Sequence, residues 1–377
     1  MSDNLKRYCA IQSHLKQLFP TEPTASQARH LSTLAALISG IIGSKSCQLP
    51  QIARKVPDGN KHESRSKRFA RFLQNPKATP QTFFLPYAQA LVQSLPPGPL
   101  VLIIDGSQIG RGCQALMLSV LFQQGTLQQG TLQRALPLCW LVTQAPKGHF
   151  SQERHQELLA QVKSIIPPHR QVIFLGDGEF DGPDLLADVT RVGWHFVCRT
   201  AKNVLLAEAD WPEETFTLAQ MMADGSLRPG DCVEMPNLLF TAQEIGPVLV
   251  GAVWELGQKE ALLLVSNLDF FGEARQWYKK RFGIETFFSD QKSRGFQLGH
   301  SHLSDPERLC RLLIATCLAY YWMVCLGAEV IRCGWQVIIH RTERCDLSLF
   351  QLGLTWLEHC IDEGRPVPVR LQMRAMK

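Results

Sequence analysis

Among its twelve cysteines the chain has no Cys-x2-Cys pair, so neither a zinc finger nor a disulfide framework is indicated. The opening stretch from Met1 to Arg7 lacks the apolar core of a signal peptide. The expectation is a cytoplasmic protein with reduced, mostly buried thiols. Acidic residues are scarce at one end. Residues 1–95 hold 13 Lys/Arg against 4 Asp/Glu, a net of +9. Taken from the totals of 39 and 34, that leaves 26 basic and 30 acidic residues, a net of −4, for the rest. A basic third beside a slightly acidic remainder suggests a polyanion-binding module attached to something else; a plain solvated surface is the alternative. Long apolar runs are few. Leu312 to Ile331 is about as long as a membrane span, but Arg308 and Arg311 precede it and Glu329 lies within it, which favours a buried core helix. With 45% hydrophobic and 19% charged residues, global disorder is excluded, and 377 residues suffice for two or three domains.

Residues 1–95 read as mainly helical. Ala25 to Ile42 carries small and apolar residues at helical spacing, and a basic stretch follows from Lys61. There Arg65, Lys67, Arg68 and Arg71 interleave with Phe69, Phe72 and Leu73. On a helix the apolar residues would face a core while the cations face phosphates, as in a helix-turn-helix-like DNA binder. Pro76, Pro80 and Pro96-Pro97-Gly98-Pro99 mark a linker. Leu100 to Asp105 then reads as a buried strand ending in an acid, followed by strands at Ala115–Phe122 and Ala135–Thr143. A helix from Ser151 to Ile166, with Ser151 as N-cap, leads to a strand at Gln171–Asp177, again ending in an acid. A helix at Asp184–Val192 and a strand at Trp194–Arg199 complete a mixed α/β sheet, in the order of the ribonuclease H-like fold.

Residues 200–265 are rich in Pro and Gly with short alternating segments, which indicates a β-rich insertion, and helices are expected from Phe271 onward. The division read from the sequence is therefore a helical DNA-binding domain at 1–95 and a catalytic domain at 100–199 and 266–330. The insertion at 200–265 and a helical region at 331–377 make up the rest. The tandem pentapeptide at 123–127 and 128–132 (Gln-Gln-Gly-Thr-Leu) is too short for a solenoid and reads as a duplication lengthening a surface hairpin.

Two acids at strand ends, Asp105 before Gly106 and Asp177 before Gly178, supply hard oxygen ligands of the kind that suit Mg²⁺ or Mn²⁺. Singly, either could be a turn residue. The third element is a helical segment carrying Tyr278, Arg281, Glu285 and Lys292. At about 100° per residue these fall at roughly 0°, −60°, −20° and −40°, one narrow polar stripe beside an apolar face near −100° made by Trp277, Ile284 and Phe288. Glu285 would complete a carboxylate trio, and the cations and phenol would grip backbone phosphates. Ordinary i to i+4 pairing accounts for Arg281 with Glu285 but not for Tyr278 or Lys292.

Those residues spell Tyr-x2-Arg-x3-Glu-x6-Lys, and the chain resembles the DDE transposases of bacterial insertion sequences, specifically the IS-four family with its YREK signature. The resemblance covers roughly residues 65–330. It implies that Asp105, Asp177 and Glu285 are the catalytic metal-binding triad for Mg²⁺, with Mn²⁺ able to substitute. It also implies that Tyr278, Arg281 and Lys292 contact DNA. Glu179 and Asp181 crowd the second acid, so Asp181 contests the place of Asp177. The implied chemistry is cut-and-paste transposition: nicking at the terminal inverted repeats, a hairpin intermediate and strand transfer into target DNA, with two metal ions about 4 Å apart. A flipped base would stack on an insertion aromatic; Trp254 is one candidate, and a core role for it is the alternative. Synapsis implies a homodimer on DNA in the bacterial nucleoid. A stand-alone ribonuclease H-like nuclease would explain the acids but not the basic module or the YREK spacing. A domesticated or inactive transposase acting as a DNA-binding protein remains the other class.

Overall fold

The computed structural model describes residues 2–127, 130–145, 149–340 and 345–373. The amino-terminal third folds as α1 (Asp3–Leu18), α2 (Ala25–Ser44), α3 (Leu49–Arg54), α4 (His62–Gln74), α5 (Pro80–Phe83) and α6 (Leu85–Ser94). Thr24 and Gln27 form a capping box that starts α2, each side chain serving the other's backbone N–H. On α4 the spacing of Phe69, Phe72 and Leu73 puts all three on one buried face.

Strands β1 (Leu100–Gly110), β2 (Cys113–Leu127) and β3 (Gly130–Gln144) follow. Then come α7 (Gln152–Lys163), β4 (Val172–Gly176), α8 (Pro183–Arg191) and β5 (His195–Arg199). The sheet order β3-β2-β1-β4-β5 has β1 antiparallel to β2, and β4 parallel to both β1 and β5. This is the mixed ribonuclease H-like arrangement expected from the element order. All five residues of β4 are buried, as a strand covered on both faces must be. The first pentapeptide lies at the far end of β2; the second begins at 128–129, outside the described residues.

The 200–265 segment contributes β6 (Leu205–Glu208), β7 (Trp211–Thr217), a short α9 (Leu218–Ala223), β8 (Cys232–Phe240), β9 (Ile245–Val253) and most of β10 (Leu262–Ser266). β10 pairs antiparallel with β5, and the remaining strands continue outward in the order β9-β8-β6-β7. The β-rich segment thus extends the same sheet to ten strands.

Beyond it come α10 (Phe271–Lys279), a 3-10 turn at Lys280–Phe282, α11 (Gly283–Gln291), α12 (Pro306–Arg332), α13 (Gln336–Ile339) and α14 (Leu349–Asp362). Helix α12 is the one described helix long and apolar enough to cross a membrane, and here it is a core element with 94% of its most apolar stretch buried. It packs on α14, β3, α2 and α4. The Arg311 guanidinium donates to the Leu73 carbonyl at 3.1 Å, tying α12 to α4, and the Tyr87 hydroxyl donates to the Leu15 carbonyl at 2.9 Å, tying α6 to α1. Seven of the twelve cysteines are buried.

Three local expectations change. β1 does not stop at Asp105: its pairing with β4 ends at Ile103 with Leu175, but its ladder with β2 continues to Gly110 with Cys113. The apolar run therefore marks the part of β1 buried between two strands, not the whole strand. The YREK segment is not one ideal helix, because the 3-10 turn separates α10 from α11 and Lys292 caps the end of α11. Ser151 stands at the N-cap of α7, but its side chain makes no cap hydrogen bond.

Candidate active site

Strand register brings the first two acids together. Ile103 pairs with Leu175 in the parallel ladder, and Asp105 and Asp177 each lie two residues further on, so the sheet delivers both carboxylates to the same edge position. Gly106 donates its N–H to Asp105 Oδ1 at 2.8 Å, and Gly178 donates to Asp177 Oδ1 at 2.9 Å. Each Asp-Gly step thus fixes its own carboxylate. Gly176 precedes the second acid because a Cβ there would stand 2.6 Å from the Phe180 Cβ.

The segment after the insertion supplies the rest. Arg281, buried on the 3-10 turn, points its guanidinium at three carboxylates: Nη1 is 3.7 Å from Asp105 Oδ2, while Nη2 is 3.8 Å from Asp177 Oδ2 and 3.5 Å from Glu285 Oε1. The Tyr278 hydroxyl donates to Asp177 Oδ1 at 3.4 Å. Lys292 Nζ donates to the Ser107 hydroxyl at 2.7 Å. The three acids and the three other YREK-segment residues named from the sequence therefore meet in one place, although more than a hundred positions separate the first from the last. Ser107 was not foreseen. The period of two in a strand puts residues 105 and 107 on one face of β1, a signal that would have found it.

Asp181 is not among the acids facing Arg281. It is half-buried beside Thr200, and burial raises its carboxyl from the ordinary value. Glu179 is held elsewhere too. Its Oε1 accepts the Phe150 N–H at 2.5 Å, and its Oε2 lies 3.1 Å from His149 Nδ1. Glu179, His149, Phe150, Ser107 and Lys292 line a cleft of about 610 Å³ that opens beside Asp105.

Three carboxylates against Arg281 and Lys292 leave the site short of positive charge. Burial raises Asp105 from 3.8 to about 6, and the Arg281 charge opposes this only in part, with Asp177 and Glu285 adding to the rise. Burial also lowers Lys292, against the pull of Asp105, and raises the Tyr278 phenol to about 12. Hard oxygen donors around an undercompensated charge fit a divalent cation, and Asp105, Asp177 and Glu285 are the residues able to hold one. Among the described residues, however, no three His, Cys, Asp or Glu side chains stand close enough together to do so as they are.

A stability prediction follows from Asp105. A folded-state value of about 6 against 3.8 means that the native state favours the protonated form. Stability from this group is thus full below about pH 4 and is lost as pH rises through 6. In metal-free protein Asp105→Asn should raise stability at pH 7 by on the order of 1–3 kcal/mol, an advantage that vanishes near pH 4. Melting curves from pH 4 to 8 check this. A lower melting temperature for the variant at pH 7 would contradict it.

The amino-terminal cations divide. Arg65 donates to the Asp58 carboxylate and backbone and, at 3.2 Å, to the Ala53 carbonyl, while Arg68 pairs with Asp58 at 2.9 Å. Both fasten the loop before α4. Lys67 and Arg71 are exposed, Lys67 pairing with Glu63 of its own helix. Trp254 is partly buried against the core, and its Nε1 donates to the Gln258 carbonyl at 3.1 Å. In the same segment Trp211 stands 65% exposed.

The model of the transposase DDE domain family matches residues 97–322, which contain all three acids and the YREK segment. The chain belongs to that family. A search of curated proteins found no match. Among solved structures, the chain is similar to a piggyBac transposase in a synaptic complex with hairpin DNA, at 10% identity and a TM-score of 0.47 over 96% of this chain and 78% of that one. As a DDE transposase, the chain is an enzyme of DNA transposition.

Proposed function

We propose that the chain is a cut-and-paste transposase of the IS-four type, with Asp105, Asp177 and Glu285 as its metal-binding catalytic acids. The observation that carries this is the convergence of all three on one guanidinium, with Tyr278 and Lys292 alongside. An inactive descendant retained only for DNA binding would be under no requirement to keep that geometry. Mg²⁺, or Mn²⁺ in its place, would supply activation of the attacking oxygen and stabilisation of the leaving 3′-oxygen.

The chain's own groups do the rest. Lys292, positioned by Ser107, presents its ammonium to a backbone phosphate in the cleft, and Tyr278 steadies Asp177 while its phenol stays protonated. Residues 1–95 would hold the terminal inverted repeats, with the exposed Lys67 and Arg71 facing phosphates and Arg65 and Arg68 shaping the surface that carries them. In this division the catalytic domain is 100–199 with 266–330, the 200–265 insertion supplies an aromatic to stack a flipped base, and 331–377 is a helical carboxy-terminal region. Exposed Trp211 suits that stacking better than Trp254, whose ring packs partly buried against the core. Two copies acting at two DNA ends would form a homodimer in the bacterial cytoplasm.

The test is incubation of the full chain with Mg²⁺ and DNA carrying the terminal inverted repeats that flank its gene. The expected products are nicked ends, hairpins and joined target DNA, resolved on denaturing gels. Binding without any cleavage in Mg²⁺ or Mn²⁺ supports the inactive DNA-binding alternative instead.

A further inference from the structure

The contacts of Arg281 differ from those of the other buried arginines. Arg311 makes close bonds to a carbonyl at 3.1 Å and to Glu307 at 2.9 Å, as a structural guanidinium does. Arg281 touches three acids, none nearer than 3.5 Å, and its buried Nε has no hydrogen-bond partner among the described residues. Its guanidinium is flanked by the Phe282 ring at 4.9 Å and the Tyr278 ring at 5.7 Å, and Phe282 is half-exposed. It is therefore central and desolvated but loosely held, with an aromatic surface leading from the acids toward solvent.

We infer that Arg281 is the resident counter-charge of the DNA-free site, occupying the space between the acids so that metal entry requires its release. The inference rests on the reading of Asp105, Asp177 and Glu285 as metal ligands. One buried cation balances part of three carboxylate charges before any metal arrives. The same charge repels an incoming divalent ion, and the guanidinium lies against all three acids that would ligate it. A DNA phosphate is the natural recipient of a displaced guanidinium, because it accepts the same planar set of donors as a carboxylate. Phosphate binding by Arg281 and metal binding by the acids are then reciprocally coupled, each favouring the other. The protein would stay poorly loaded with metal until DNA is in the cleft.

The experiment uses full-length, DNA-free protein and Mn²⁺ alone as the probe, with bound ion counted by electron paramagnetic resonance. Arg281→Met should bind Mn²⁺ at least about tenfold more tightly than the wild type, an increase that a merely structural loss would not give. Without metal it should melt at a lower temperature than the wild type at pH 7, and Mn²⁺ should restore it. Arg281→Gln, which keeps polarity and removes charge, should behave alike and serves if the Met variant does not fold. Equal or weaker Mn²⁺ binding by the neutral variants, with Asp105→Asn still abolishing it, would overturn the counter-charge role and leave the site assignment standing. Mn²⁺ binding unaffected by Asp105→Asn in every background would overturn the metal-site reading itself.

Discussion

Replacing Asp105, Asp177 or Glu285 by Ala should each lower DNA cleavage by about 10³-fold or more while leaving the protein folded and able to bind DNA. The size comes from what each carboxylate does. A metal ion at a phosphoryl centre supplies several kcal/mol of transition-state stabilisation, and each factor of ten in rate is about 1.4 kcal/mol. With these acids as the proposed ligands, loss of one of three removes most of the effect. Binding should persist or strengthen, because each variant removes a negative charge from a surface that must meet phosphates. Asp181→Ala is the informative control. Its carboxylate lies beside Thr200 and away from Arg281, so cleavage should stay within about tenfold of the wild type. A reversal, with Asp181 indispensable and Asp177 not, would reassign the second acid. The rates are read from single-turnover cleavage of a labelled transposon end.

The largest expected loss of stability lies far from the acids, where α12 crosses α14. Gly327 and Gly353 are reciprocal: a Cβ on Gly327 would fall 1.8 Å from the Leu349 carbonyl oxygen, and one on Gly353 would fall 1.9 Å from the Met323 carbonyl oxygen. Both obstacles are backbone, so no side-chain rotation relieves them. In an isolated helix, Gly to Ala gains about 1 kcal/mol. Here the two helices would have to part, undoing packing around Tyr320, Trp322 and Phe350, all fully buried. Overpacking of this kind costs about 1–3 kcal/mol or more, and the backbone location places these sites at the upper end. Gly327→Ala and Gly353→Ala should each destabilise the protein by about 2–4 kcal/mol net, measured by urea unfolding. Either variant matching the wild type would mean that the crossing is looser than the structure has it.

The element order, the buried α12 and the common polar stripe on 278–292 were legible in the sequence because they rest on short-range periodicity, whereas the meeting of the acids with that stripe was implied by the family resemblance. Apolar runs that stop at Asp-Gly mark the parts of β1 and β4 that pair with each other, and the stripe on 278–292 keeps its residues on one side even though a 3-10 turn interrupts it. The central place of Arg281 was not legible. Whether a cation beside Glu285 grips DNA or sits among the acids depends on where α10 and α11 dock on β1 and β4, which no local pattern carries. The same holds for Arg65 and Arg68: their spacing suggested a phosphate-facing row, and only the fold reveals Asp58 beneath them. The insertion read correctly as β-rich, but its joining of the main sheet through β10 is a long-range pairing that alternation alone cannot specify.

Asp105, Asp177 and Glu285 are proposed to hold the divalent metal that drives cleavage. The most direct test of this is anomalous scattering from Mn²⁺ in crystals of the protein bound to transposon-end DNA. Manganese density is expected within about 2.0–2.6 Å of the carboxylate oxygens of these three residues, next to a DNA phosphate. Ordered manganese held by other side chains, with the three acids uninvolved, would contradict it.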